Sequence, residues 1–257
     1  MKSLSSVGFL GGGRIVRCLV GGWARADKLP DRLLVTEPDR SALEKLKTLC
    51  APIHEASAAE VARTELLVLA LHPPALLEAV DDLAGTVGPE TIVLSLAPKV
   101  TIAKLASVLG TSRLARMIPN VASFIGAGYN PITFGPGLPD SQRELLRSAV
   151  RPWGKAPEVS EEKLEAYAIV SAMGPTYFWP QIQALKEVAT SIGLSPKEAE
   201  DAIALTLEGA VRALFESGLK PGEVMDLIPL KPLAEEMAKG AEAMRDRLPA
   251  LYQKIKP

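Results

Sequence analysis

The run Ser6-Val7-Gly8-Phe9-Leu10-Gly11-Gly12-Gly13-Arg14-Ile15-Val16 carries the residue types from which an anion site is made. An apolar stretch meets clustered glycines, and a helix-compatible segment from Arg14 to Arg25 follows. Glycines permit a tight turn and let a pyrophosphate approach the backbone, while the helix behind them offers unpaired N–H groups. The order reads as a dinucleotide site. Glycine-rich turns between strand and helix also occur without a ligand, and Val16 replaces the usual third small residue here.

Three further side chains have chemistry to offer. An acidic residue about 20 positions beyond the glycines normally holds the adenosine ribose hydroxyls and repels a 2′-phosphate. Glu37, in Thr36-Glu37-Pro38-Asp39-Arg40, fits that role and favours NAD over NADP. Arg40 is near enough to serve a 2′-phosphate instead, and Asp39 also suits a helix N-cap. His72 sits before Pro73-Pro74 at a cleft rim, where it hydrogen-bonds ribose or phosphate or faces solvent; no carboxylate partner marks it as a catalytic base. Asn120 follows Ile118-Pro119, either as an anchor for nicotinamide or substrate or as the Asn that turn chemistry selects after Pro.

The elements that must position these residues alternate between strand and helix. Leu33-Leu34-Val35-Thr36 reads as a strand, 39–49 as a helix with apolar Leu43, Leu46 and Leu49, and Ser57 as an N-cap ahead of a helix at 58–63. The continuous apolar run 66–71 has the pattern of a parallel strand covered on both faces. The segments 91–95 and 114–117 read likewise, with a helix between them at 102–109. Such alternation implies a parallel sheet with right-handed crossovers, and ligands sit beyond the carboxyl ends of its strands.

Composition narrows the classes. The chain has 257 residues, enough for one large or two modest domains, and 47% hydrophobic residues suffice for a core. A net charge of −1 leaves no footprint for nucleic acid or an anionic membrane. No apolar run is long enough to span a bilayer, and Met1-Lys2-Ser3 leads into the first strand without a signal-peptide core, so a cytoplasmic protein is expected. Cys18 and Cys50 lie in helix-like segments without metal-ligand spacing, which predicts buried free thiols and no metal site.

The succession Gly8-Phe9-Leu10-Gly11-Gly12-Gly13, Ala70-Leu71-His72-Pro73, Arg116-Met117-Ile118-Pro119-Asn120 and Gly174-Pro175-Thr176-Tyr177 resembles the pyrroline-5-carboxylate reductase family over nearly the whole chain. The resemblance implies an α/β fold, a Rossmann-type doubly wound N-terminal domain followed by an all-helical dimerisation domain. The expected division is 1–155 for NAD(P) binding and 156–257 for dimerisation and substrate. It also implies a homodimer that reduces a cyclic imine, 1-pyrroline-5-carboxylate to L-proline or a related imine, with NADH or NADPH. The cofactor is placed against Leu10, Gly11, Gly12, Gly13, Arg14, Ile15, Thr36, Ser57, Ala70, Leu71, His72 and Pro73.

The second half agrees with a change of domain. Composition shifts around Trp153-Gly154-Lys155-Ala156-Pro157, and helical patterning follows. Ser160 is placed to cap an acidic first turn, Gly174-Pro175 to break that helix ahead of another at 176–192, Ser195-Pro196 to open the next, and Gly218 to end it. A last helix is expected at 232–254. Leu205, Leu207, Val211, Leu214 and Phe215 form an apolar stripe that suits a partner chain or an intrachain core equally; the resemblance selects the dimer.

Departures from the family bear on substrate. Ala172 and Met173 stand for a glycine and a serine of its Ser-Gly-Ser-Gly-Pro-Ala-Tyr motif, and His72 for a lysine. After Asp226, Leu227-Ile228-Pro229-Leu230-Lys231-Pro232-Leu233 replaces the Ser-Pro-Gly-Gly-Thr-Thr loop that cradles the substrate carboxylate in the family. Lys231 is either a replacement cation or solvated surface. Ser171 and Thr176 are the nearest remaining hydroxyls and become the substrate or proton-donor candidates, each with an alternative role in local backbone capping. Two other functions stay open: a dehydrogenase of a carbonyl or hydroxy acid, disfavoured because no lysine stands near Phe178 and Lys186 comes two turns later, and a non-catalytic dinucleotide-binding dimer.

Overall fold

Alternating side-chain direction explains how one sheet makes two cores. Along β1 (Ser6–Leu10), Val7 and Phe9 enter one apolar cluster while Leu10 enters another; along β4 (Leu66–Leu69), Leu66 and Val68 oppose Leu67 and Leu69 in the same way. The computed structural model describes residues 4–49 and 53–257, so Cys50 lies outside the described residues.

The main sheet runs β3-β2-β1-β4-β5-β6-β8. Its other strands are β2 (Arg32–Thr36), β3 (Ile53–Glu55), β5 (Ile92–Ser95), β6 (Leu114–Met117) and β8 (Ile132–Phe134), with β7 (Gly128–Tyr129) and β9 (Gly154–Lys155) paired separately. The first six are parallel, and the order reverses between β1 and β4. That order is the doubly wound Rossmann arrangement. β8 pairs antiparallel to β6 through Ala115 with Phe134, Arg116 with Thr133 and Met117 with Ile132. Sequence patterning left this strand unread because three residues carry too little periodicity.

One face is covered by α1 (Arg14–Arg25), α2 (Arg40–Lys47) and α6 (Asp140–Val150), the other by α3 (Ala58–Val61), α4 (Pro73–Asp82) and α5 (Ile102–Leu109). α1 lies unusually close to the turn Val121–Ile125: a Cβ on Gly22 would stand 2.2 Å from the Ser123 carbonyl oxygen. Trp153, where composition shifts, is fully buried against α1, its indole N–H donating to the Leu19 carbonyl at 2.8 Å. Trp23 answers it by donating to Ala149 at 2.7 Å.

Residues grouped by contact form two compact units: 4–173 with 251–257, and 174–250. Within the first, α7 (Leu164–Tyr167) continues into one π-helical stretch, Ala168–Ala172. The expected Ser160 cap takes another form: its hydroxyl donates to the Glu162 carboxylate at 3.2 Å, because the first turn tightens into a 3-10 geometry that leaves the backbone N–H groups elsewhere. In the second unit, Gly174–Tyr177 is a 3-10 turn, so Thr176 lies before rather than at the cap of α8 (Trp179–Ser191). α9 (Pro196–Glu216) opens with a complete Ser195/Glu198 capping box, and Gly218 follows it at φ +78°. α10 (Pro221–Asp226) and α11 (Ala234–Ile255) complete the chain, the end of α11 belonging to the first unit.

Candidate cofactor cleft

The turn after β1 shows why glycine is needed. Gly11 has φ +98°, and a Cβ there would approach the Ala70 carbonyl oxygen to 2.9 Å. Its N–H donates to the Thr36 carbonyl at 2.9 Å, tying the turn to β2. At Gly12 the N–H donates to Glu37 Oε2 at 2.7 Å, while Glu37 Oε1 accepts from the Asp39 N–H at 2.9 Å. Gly13 is the N-cap of α1, with no atom within 4 Å of where a Cβ would lie. No side chain caps α1 and no acidic residue occupies its first turn; the Glu37 carboxylate sits on the Gly12 N–H just ahead of it.

A cleft of about 770 Å³ opens there. Gly13, Arg14 and Ile15 form one side, Glu37 a second, and Ala70, Leu71 and His72 a third. Sequence reasoning missed Arg17, Lys45, Leu96 and Pro98, which also line it, and put no role on Pro119, which does so after β6. Arg17 and Lys45 were recoverable from helical spacing: Arg17 lies one turn beyond Arg14, and Lys45 on α2 behind the capping Asp39. Arg17 brings a second guanidinium to the cleft wall, its Nε buried without a hydrogen-bond partner. These features fit a dinucleotide phosphate: outward helix amides, an open glycine and two arginines.

The remaining candidates stand apart from the cleft lining. Leu10 is buried in the core at the end of β1, and Pro73 begins α4. The Thr36 hydroxyl donates to the Ala56 carbonyl at 2.8 Å, and Ser57 makes a capping box with Glu60. Asn120 takes the turn role: its amide oxygen accepts from the Ala122 N–H and its amide nitrogen donates to the Ser171 carbonyl, linking the turn to the π-helical stretch. Ser171 likewise caps locally, its hydroxyl donating to the Tyr167 carbonyl at 2.8 Å. In the second unit, Thr176 lies in its 3-10 turn, and burial pushes the Tyr177 phenol up from its ordinary pKa. Lys231 Nζ donates to Asp226 Oδ1 at 3.2 Å, so a carboxylate already faces this cation. Cys18 is a half-buried free thiol, pushed up by burial against the opposing charge of Arg17.

A Rossmann sheet with an anion-ready glycine turn defines the class, a nicotinamide-dinucleotide-dependent oxidoreductase. Residues 6–99 match the family described as NADP oxidoreductase, coenzyme F420-dependent, and residues 161–229 match the pyrroline-5-carboxylate reductase dimerisation family. The pyrroline-5-carboxylate reductase of Mycobacterium tuberculosis is 29% identical over 87% of this chain and 80% of its own length; that of Escherichia coli is 24% identical over 86% and 84%. The solved pyrroline-5-carboxylate reductase of Coxiella burnetii superposes with a TM-score of 0.68 at 25% identity, covering 99% of this chain and 95% of its own. The Plasmodium falciparum enzyme, solved with NADP bound, shares the fold at a TM-score of 0.73 and 17% identity, covering 99% and 95%. This chain is thus similar over most of its length to pyrroline-5-carboxylate reductases, and its residues 161–229 match their dimerisation family.

Proposed function

We propose that this protein reduces 1-pyrroline-5-carboxylate to L-proline as a homodimer. The observation that carries the reading is the carboxyl-end cleft, with its glycine turn and uncapped α1, in one chain with a pyrroline-5-carboxylate reductase dimerisation segment. The bound nicotinamide would supply hydride to the C=N carbon, and a proton on nitrogen completes the amine. Positioning provides much of the rate of such a reaction, and a protonated iminium asks little further of the protein.

Each candidate has a task in this reading. Backbone N–H groups at Gly13, Arg14 and Ile15 receive pyrophosphate, with Arg17 beside them. Glu37 holds the adenosine ribose, which favours NAD over NADP because its carboxylate repels a 2′-phosphate. Gly11, Gly12, Thr36 and Ser57 shape the adenosine side through the backbone, and Ala70, Leu71, His72 and Pro73 shape the pyrophosphate edge. Thr176 supplies a hydroxyl toward the imine, and the oxygen of Ser171 keeps lone pairs for a substrate donor. The division is 1–155 for the cofactor and 156–257 for dimerisation. The apolar 227–233 segment, with its one cation facing Asp226, favours a second reading in which a related imine lacks the carboxylate.

The test is oxidation of NADH and NADPH with 1-pyrroline-5-carboxylate, beside Thr176→Ala and Glu37→Gln. Expected are turnover of about 1 s⁻¹ or more with NADH, a loss of about 10²-fold in Thr176→Ala, and a roughly tenfold shift toward NADPH in Glu37→Gln. Binding of dinucleotide without turnover removes proline synthesis and leads to a panel of carboxylate-free cyclic imines.

A further inference from the structure

Arg116 is an anomaly inside β6. It is wholly buried in a strand whose neighbours Leu114, Ala115 and Met117 are core residues. Its guanidinium contacts Glu165 Oε1 at 2.6 Å, Glu161 Oε1 at 2.9 Å and the Ala97 carbonyl at 3.2 Å. Each carboxylate oxygen also accepts a backbone N–H from the segment beyond β5: Glu165 from Lys99 at 3.1 Å, Glu161 from Ile102, the first residue of α5, at 2.7 Å. One cation and two carboxylates thus grip the 97–102 segment at three backbone points. Lys99 is held at φ +69°, a conformation disfavoured for a side-chain-bearing residue, and persists where its surroundings over-determine it.

The gripped segment includes cleft wall. Leu96 and Pro98 line the cleft, and they follow β5, in the half of a doubly wound sheet that takes the second mononucleotide, the nicotinamide half. We propose that Arg116 and Glu165 are positioning residues for the nicotinamide end of the cofactor: they set the wall at Leu96 and Pro98 and leave the adenosine end untouched. Burying this charge costs desolvation that an apolar trio would avoid, which argues for a geometric task. Both carboxylates lie in the segment that begins the dimerisation match at residue 161, so the wall is tied to that segment and not to the cofactor half alone.

The proposal rests on the nicotinamide-dinucleotide reading but not on the choice of imine. Its test measures, for the full chain, dissociation constants of ADP-ribose and of whichever of NADH or NADPH the unmodified protein binds more tightly. Arg116→Lys keeps the charge but not the three-way grip; Glu165→Gln keeps volume and one acceptor, and carries the test if the first variant does not fold. Expected is a roughly tenfold weaker dinucleotide with ADP-ribose within about twofold. Parallel losses of both ligands, or no change in either, overturn the proposal. An unmodified protein that binds neither ligand overturns the cofactor reading with it.

Discussion

The two compact units treat their apolar side chains in opposite ways. In residues 4–173 the strands are sealed: every residue of β4, β5 and β6 is buried, and both faces of the sheet are roofed by helices. In residues 174–250, α9 buries only Ala199 and Ile203 over its 21 residues, while Phe215 is 79% and Leu205 69% exposed. The first unit completes its core within one chain; the second leaves Leu205, Leu207, Val211 and Phe215 of α9 exposed, residues of the kind that mate with a second copy. Each full burial of a Leu or Phe stabilises by roughly 1.5–3 kcal/mol, which the first unit draws from its own core and the exposed residues of α9 leave unused within the single chain; in the proposed homodimer a second copy would supply it.

That contrast can be broken from either side. The largest effect is expected from Gly22→Ala in the first unit, where the new methyl meets the Ser123 carbonyl oxygen and the Trp153 ring; urea unfolding should lose about 3 kcal/mol. The loss should be the same at every protein concentration. A concentration-dependent loss would mean that the first unit also relies on assembly.

Phe215→Ala comes next. Truncating a central aromatic at an interface typically costs about 2 kcal/mol, roughly a thirtyfold weaker dimer, to be read by sedimentation equilibrium with dinucleotide affinity unchanged. An unaltered dimer constant would remove this face of α9 from the interface.

The smallest effect sharpens the comparison, because both units use the same local device. Ser57 with Glu60 opens a four-residue helix, and Ser195 with Glu198 opens the 21-residue α9. Hydrogen bonds from the serines hold both carboxyls below their ordinary value of 4.5. A folded pKa below the unfolded one contributes stability above pH 4.5, lost as pH falls through the depressed folded value. Ser195→Ala should cost about 1 kcal/mol near neutrality and flatten this acid-side decline in helix circular dichroism. An unchanged pH profile would show that the box contributes nothing to α9.

Local signals were legible wherever a few adjacent residues decide the outcome. Arg14–Arg25 is a helix from end to end as read, Asp39 caps α2, and Ser57 and Ser195 cap theirs, because caps and periodicity act over one or two turns. The cleft was legible in Gly13, Glu37 and His72, since strand ends in such a sheet collect ligands. Asn120 was ambiguous for the same reason that it is useful: a short amide after Pro serves a turn or a ligand alike, and only the structure shows its partners Ala122 and Ser171.

By itself, then, the amino-acid sequence determined the six parallel strands with the helices between them, the glycine turn after β1, and the likeness to pyrroline-5-carboxylate reductases, all of which rest on residues close in the chain or on motifs in succession. The tertiary structure alone decided which distant groups meet. Arg116 reads as one polar residue in an apolar run until Glu161 and Glu165, 45 and 49 residues on, are packed against it. Such pairing depends on the crossovers that bring strand ends and helix starts together in space, and no local periodicity encodes it.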